Sequence, residues 1–410
     1  MKGIKKLSSV AFCASNPTSN GSIKTSLSSS PQVPSISLKT ISYNEGKQLV
    51  KTTMDMPAIG IGTYKFKKGS GEASEAIQEA LKLGYRHIDT AFIYGGEKTE
   101  KEIGDALASS TMVERSDIFL TSKQWRAYHG YEPTLECLRK SLKRLQTDYL
   151  DLYLIHWPGP AYNTMNRRKD IMEQSPDGPF VYAKQGHAAA DIASLRGETW
   201  RAMEDALYDG KCRAIGVSNF TVRHLEALKQ TARIWPPAVN QIELHPYNPQ
   251  RELVEYCRKE GIVVQAYASL GGQDAGKKVW NILGGKLMER EEVLEISKRY
   301  GKTPAQVLLR WATQQGFSVI PKSTNVEHMK MNLEAVSMTS GGEESRDVWM
   351  LSKEDMTTLY GLDQSYTREE SPSEGEDEDN EHARGAKRKR LNEKARLCWV
   401  RDPLKMLDFE

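Results

Sequence analysis

The chain is poor in several features that would narrow its chemistry at once. Only five cysteines occur, Cys13, Cys137, Cys212, Cys257 and Cys398, with no CxxC pair among them. An odd, scattered count argues against a disulfide framework and against zinc spacing, and favours reduced thiols in a reducing compartment. No apolar run approaches the ~20 residues needed to span a bilayer, so no membrane partner is expected. The formal charge is only +3, which gives no general argument for nucleic acid as a partner. No GxGxxG follows the first strand-like run, so the fingerprint of a doubly wound dinucleotide fold is missing. Residues 1–45 contain no arginine, and the first acid is Glu45.

What is present divides the chain into three. Residues 1–45 are rich in Ser and Thr, with Lys2, Lys5, Lys6, Lys24 and Lys39 carrying the charge. They read as a disordered tail or, alternatively, a transit-like segment that would direct the protein to an organelle. Residues 365–410 hold an acidic block, Glu369 to Glu381, and a basic one, Arg384 to Arg390. Opposed charge blocks with few apolar residues predict disorder. The run Lys387 to Arg390 is open to a nuclear-address reading, and Ser373 before Glu374 and Glu376 to a phosphosite reading. Without such addresses a cytoplasmic protein is expected.

Between them, residues 46–364 alternate strand-like and helix-like stretches. Apolar runs recur at Ala58–Thr63, Arg86–Asp89, Ile118–Lys123, Leu150–His156, Arg213–Ser218, Ala238–Glu243, Ile262–Tyr267 and Phe317–Pro321. Amphipathic stretches separate them; in Pro133–Leu145, Leu135, Leu138, Leu142 and Leu145 recur at helical spacing. Eight such units predict an α/β fold of the (β/α)8 TIM-barrel type, one catalytic domain with an extension at each end. A polar stretch from 159 to 195 interrupts the pattern as an insertion after His156. Chemistry in such a barrel belongs at the C-terminal ends of the strands.

Asp89, Lys123 and His156 fall at those ends, and Tyr94 lies in the loop beyond Asp89. A phenol with a pKa of about 10 acts as an acid at neutral pH only with help. A nearby ammonium supplies it by stabilising the phenolate. A buried lysine needs a carboxylate partner, and a histidine can orient a carbonyl oxygen. These four residues cover those roles.

The motifs MPAIGIGTY, GYRHIDTAFIYGGE, LTSKQW followed by HG, LDLYLIHWP, IGVSNF, NQIELHPY and VIPKSTN resemble the aldo-keto reductase superfamily across Met56 to Gln364. The resemblance implies NADPH-dependent reduction of aldehydes and ketones on a barrel, with no metal. It implies Tyr94 as general acid, Lys123 lowering its pKa, Asp89 holding Lys123 and His156 positioning the carbonyl. For the cofactor it implies Ser218, Asn219 and Gln241 on the nicotinamide carboxamide and Tyr267 stacked on the ring. It also implies Leu270 and Gly271 over the pyrophosphate, and Lys322, Ser323, Thr324, His328 and Asn332 around the 2′-phosphate and adenine. Tyr64, Trp125 and Trp157 are the implied substrate walls, with His129 and Phe92 as neighbours.

Two departures bear on the cofactor. His328 stands where the family usually has arginine, and Met331 where it usually has glutamate. A histidine lacks the bidentate fork and most of the charge of arginine, so weaker discrimination is expected and NADH is possible. The segment Leu397-Cys398-Trp399 resembles the family's C-terminal loop. A monomer acting on a small carbonyl compound is expected. The alternative is a non-catalytic NADPH-binding regulatory or interaction protein on the same fold.

Overall fold

The computed structural model describes residues 33–43, 49–159, 189–272, 283–337 and 349–363. The chain enters through an antiparallel hairpin, β1 (Ser35–Tyr43) and β2 (Leu49–Pro57). In register, Ile36 faces Met56 and Leu38 faces Met54. The expectation of a disordered segment through residue 45 therefore fails for Ser35–Tyr43. Its Ser-rich composition conceals an alternation that puts Ile36 and Leu38 on one face, and pairing with β2 satisfies its backbone.

Eight parallel strands follow, each paired with the next. They are β3 (Ile61–Gly62), β4 (His87–Asp89), β5 (Phe119–Gln124), β6 (Leu150–Ile155), β7 (Cys212–Ser218), β8 (Val239–Glu243), β9 (Val263–Tyr267) and β10 (Ser318–Val319). The ring closes where Ile59 bridges Val319 in parallel. There the Gly60 amide donates to the Val319 carbonyl at 2.8 Å, and the Val319 amide to that of Ala58 at 2.9 Å. Glycine at position 62 permits this seam, because a Cβ there would lie 2.5 Å from the Ile320 carbonyl oxygen.

The helices are α1 (Glu72–Leu83), α2 (Lys98–Ala108), α3 (Tyr131–Leu145), α4 (Ala189–Tyr208), α5 (Val222–Lys229), α6 (Arg251–Glu260), α7 (Glu291–Tyr300), α8 (Pro304–Thr313), α9 (Val326–Val336) and α10 (Lys353–Tyr360). Their limits follow local chemistry. Thr303 caps α8 through the Gln306 amide just before Pro304, whose missing N–H costs nothing in the first turn. Gly84 ends α1 in the left-handed conformation, at φ 101°. Of the stretch read as an insertion, Ala189–Leu195 belong to α4. Residues 160–188 and 364–410, the latter with the charged blocks and Trp399, lie outside the described residues. No helix among the described residues is long and apolar enough to cross a membrane.

Strand alternation separates two cores. Outward residues such as Tyr153, Ile155 and Val217 pack against the helices, including Leu138 and Leu145 of α3. Inward residues Phe119, Leu152, Leu154, Ala214 and Val239 fill the bore together with Leu38 and Met56 of the hairpin. Several of these lie at the strands' N-terminal ends, so the hairpin plugs the bottom of the barrel. Polar inward residues are left for the top.

Candidate active site

The inward positions above the apolar plug carry charge. Asp89 ends β4, Lys123 projects inward from β5, and His156 follows β6. Lys123 is completely buried, and its Nζ donates to Asp89 Oδ1 at 2.6 Å and to the Thr90 carbonyl at 2.8 Å. Burial pulls the Lys123 pKa below the usual lysine value, and the Asp89 carboxylate opposes that fall. The pairing is what makes a buried ammonium tolerable.

Tyr94 reaches this pair from the loop after β4. That loop is held by Phe92, whose ring packs edge-on against Tyr128 at 5.0 Å and under the Arg144 guanidinium at 4.2 Å. The Phe92 amide also donates to the Lys123 carbonyl at 3.2 Å, extending the β4–β5 pairing. The Lys123 ammonium lies 5.0 Å from the centre of the Tyr94 ring. The His156 ring stands 5.7 Å from that of Tyr94, and Tyr64 covers the other side at 5.1 Å.

His156 is buried, and its pKa is held well below 6.5, first by loss of solvent and then by Lys123 and Arg126. Its imidazole is therefore neutral at physiological pH and combines one N–H donor with one acceptor. Its Nδ1 has no hydrogen-bond partner among the described residues. Trp125 and Trp157 flank it, with ring centres at 5.7 and 6.3 Å.

A cavity of about 470 Å³ opens over this group. Asp89, Tyr94, His156 and Tyr64 line one side, and Ser218, Asn219, Gln241, Tyr267 and Leu270 the other, with Lys322 at its edge. Asn219 has a left-handed backbone, φ 64°, a conformation that asparagine tolerates better than most residues. Its Nδ2 donates to the His156 carbonyl at 2.9 Å, and its Oδ1 accepts from the Tyr267 hydroxyl at 2.7 Å. The Tyr267 ring is thereby fixed as a wall.

The other sequence candidates sit around this cavity. Lys123 lies beneath it, bonded to Asp89. Trp125 and Trp157 touch His156 but do not line the cavity, and the Trp157 carbonyl is bound by His129 Nε2 at 3.0 Å. His129 itself is buried against Thr199, and Phe92 against Tyr128. Gly271 adjoins Leu270 with φ 79°, and a Cβ there would come within 2.6 Å of Leu287. Ser323, Thr324 and His328 run from Lys322 into the start of α9, outside the cavity. Asn325 caps that helix by accepting from the His328 amide at 3.0 Å. Asn332 is buried beside Tyr85.

Thr63, Lys65 and Ser269 also line the cavity, although sequence reasoning did not single them out. Thr63 and Lys65 flank Tyr64, and Thr63 lies within the MPAIGIGTY motif, which was the available signal. Thr63 donates through its hydroxyl to the Asp89 carbonyl at 3.0 Å.

The wall opposite Tyr94 suits a nicotinamide nucleotide. It offers carboxamides and a hydroxyl at Gln241, Asn219 and Ser218, an aromatic face at Tyr267, and a cation at Lys322. No hydrogen bond among the described residues ends on Gln241 Oε1, so an acceptor remains for an incoming amide.

A sequence model described as "Aldo/keto reductase family" matches residues 58–346. "Aldo-keto reductase family 1 member A1" of Gallus gallus is 37% identical over 303 residues, covering 73% of this chain and 86% of that protein. "Glyoxal reductase" of Bacillus subtilis is 38% identical over 302 residues, covering 74% and 91%. "Glycerol 2-dehydrogenase (NADP(+))" of Saccharomyces cerevisiae is 37% identical over 328 residues, covering 80% and 91%. Among solved structures, an aldo/keto reductase from Brucella melitensis superposes with a TM-score of 0.61 at 33% identity, over 81% of this chain and 99% of that one. The aldose reductase of Schistosoma japonicum gives 0.59 at 33% identity, over 77% and 91%.

Proposed function

Because this chain belongs to the aldo/keto reductase family, an NAD(P)H-dependent oxidoreductase acting on carbonyl groups, we propose that it reduces aldehydes and ketones with NADPH and with Tyr94 as the proton donor. The observation that carries this reading is the buried Lys123–Asp89 pair directly beneath Tyr94, with a neutral His156 beside it. Ser218, Asn219, Gln241 and Tyr267 would hold the nicotinamide end of the cofactor, and Lys322 its phosphate end. When bound, the cofactor supplies the hydride equivalent that the carbonyl carbon receives.

The remaining work falls to the protein. His156, neutral and buried, offers an N–H to the carbonyl oxygen and fixes its position next to the Tyr94 hydroxyl. As negative charge builds on that oxygen, Tyr94 gives up its proton, and the alcohol leaves neutral. The phenolate left behind sits over the Lys123 ammonium, which stabilises it without moving. Asp89 keeps Lys123 charged and in place. Tyr64, which lines the cavity beside Tyr94, favours carbonyls with apolar or aromatic substituents.

The test compares oxidation of NADPH and NADH with a reactive aromatic aldehyde, for the wild type and for Tyr94→Phe. The expected result is a loss of about 10²–10⁴ in kcat with cofactor affinity intact, the range for removal of a general acid. Cofactor binding without turnover by the wild type on a broad aldehyde panel would instead support a regulatory role for the same fold.

A further inference from the structure

Gln241 does more than line the cavity. Its Nε2 donates to Asp89 Oδ2 at 2.7 Å and to Gln265 Oε1 at 2.5 Å. An amide nitrogen has two protons, and both are spent. Gln265 lies on β9 as the registered neighbour of Gln241 on β8, completely buried below the cavity. Its Nε2 donates to Ser318 Oγ at 3.2 Å, and that hydroxyl donates to the Pro57 carbonyl at 3.4 Å. The chain thus runs Pro57, Ser318, Gln265, Gln241, Asp89, crossing the bore from β10 to β4.

Both ends of this chain accept only. A carbonyl oxygen closes one end and an ionised carboxylate the other, so the direction of every bond between them is determined. Asp89 decides which end of the Gln241 amide faces it. Gln265 decides the plane in which that amide lies. We infer that Gln265 is a positioning residue that holds Gln241 Oε1 toward the cavity as an acceptor, so that this wall recognises the NH2 of a nicotinamide carboxamide rather than its oxygen. Gln265 touches no ligand and acts only through Gln241. The inference rests on the cofactor reading proposed above and adds to it the polarity of the contact and the residue that sets it.

The test uses the full chain and two oxidised cofactors, measured by calorimetric titration. NADP+ carries the carboxamide; 3-acetylpyridine adenine dinucleotide phosphate has a methyl where the NH2 stands. The wild type should bind NADP+ about tenfold more tightly, since the analogue leaves a partly buried acceptor unmet. Gln265→Met keeps volume but frees the plane of the Gln241 amide, so NADP+ should weaken while the analogue does not, and the ratio should fall below about threefold. Gln265→Glu retains an acceptor for Gln241 and should keep the wild-type ratio. A merely structural Gln265 would lower the melting temperature and leave the ratio unchanged, which overturns the inference. Equal wild-type affinities overturn it without any variant. No NADP+ binding by the wild type at all would overturn the cofactor reading itself, an outcome distinct from binding without discrimination.

Discussion

Replacing Asp89 with asparagine removes one charge and almost no volume. In the wild type the Lys123 ammonium is fully buried, 2.6 Å from Asp89 Oδ1, and its other partner is the Thr90 carbonyl. Stripping one member from a buried ion pair costs about 3–5 kcal/mol, because the other charge stays behind without compensation. Asparagine can still offer an oxygen to Lys123, so the lower end, about 3 kcal/mol, is expected. The loss also carries a pH signature. Burial already lowers the Lys123 pKa from 10.5, and Asp89 is the largest influence opposing that shift. Without Asp89 the folded-state pKa drops further. Below it, the folded protein must hold an uncompensated ammonium. Between it and the unfolded value, the unfolded state binds the extra proton, so the variant gains stability as pH rises, by up to about 1.4 kcal/mol per unit. The deficit against wild type should therefore be largest in acid and narrow toward alkaline pH. Urea unfolding at pH 6, 7.5 and 9, followed by tryptophan fluorescence, measures it. A deficit below about 1 kcal/mol, or one that does not change with pH, would mean that water screens the pair and that the reasoning is wrong.

Two further outcomes follow from the same geometry. Because burial, Lys123 and Arg126 all disfavour the charged imidazole of His156, its NMR resonances should stay flat from pH 8 to pH 5; a titration midpoint near 6.5 would refute its neutrality. His328 is exposed in the first turn of α9, near Lys322, so His328→Arg should raise the ratio of NADH to NADPH Kd by about fivefold or more through a bidentate phosphate contact; an unchanged ratio would place the 2′-phosphate elsewhere.

The residues legible in the sequence are those where a strand's apolar run stops at a polar side chain. Asp89, Lys123 and His156 each mark such a stop, and parallel strands bring equivalent stops to one rim. Tyr94 was legible because it lies five residues past Asp89 in a short loop. The hairpin was not, because Ser35–Tyr43 has the composition of a tail, and its partner strand lies in a stretch with no clear repeat. Composition reports what a segment can solvate, whereas Leu38 is buried by what the barrel leaves open beneath it. The first strand was expected from Ala58 to Thr63, yet β3 holds only Ile61 and Gly62. At the seam the pairing passes through isolated contacts of Ile59, Gly60 and Gly62 with the last strand. Trp125 and Trp157 adjoin strand ends in sequence, but the chain turns there, and the Trp157 carbonyl is drawn toward His129 instead. Gln265 reads simply as a strand residue. Its role needs the bore to be closed, since Asp89 and Gln241 lie on strands four apart in the ring.

That cross-bore bond gives Asp89 two duties that no spacing rule would separate. Oδ1 holds Lys123 and Oδ2 holds Gln241, so one carboxylate ties the Tyr94 side of the cavity to its opposite wall. Lys123→Met removes only the first connection, leaving Gln241 with both of its acceptors. It should therefore depress kcat while the Kd for NADP+ stays within about twofold of wild type, because uniform cofactor binding is untouched. Asp89→Asn disturbs both connections: its side chain carries one oxygen and one NH2, and cannot accept from Lys123 and Gln241 as an ionised carboxylate does. It should depress kcat and also weaken NADP+ by several-fold, about the worth of one misplaced hydrogen bond. Stopped-flow turnover and calorimetry on the two variants separate these effects. Equal cofactor affinities in the two variants would mean that the Asp89–Gln241 bond contributes nothing to the wall, and that the two sides of the cavity act independently.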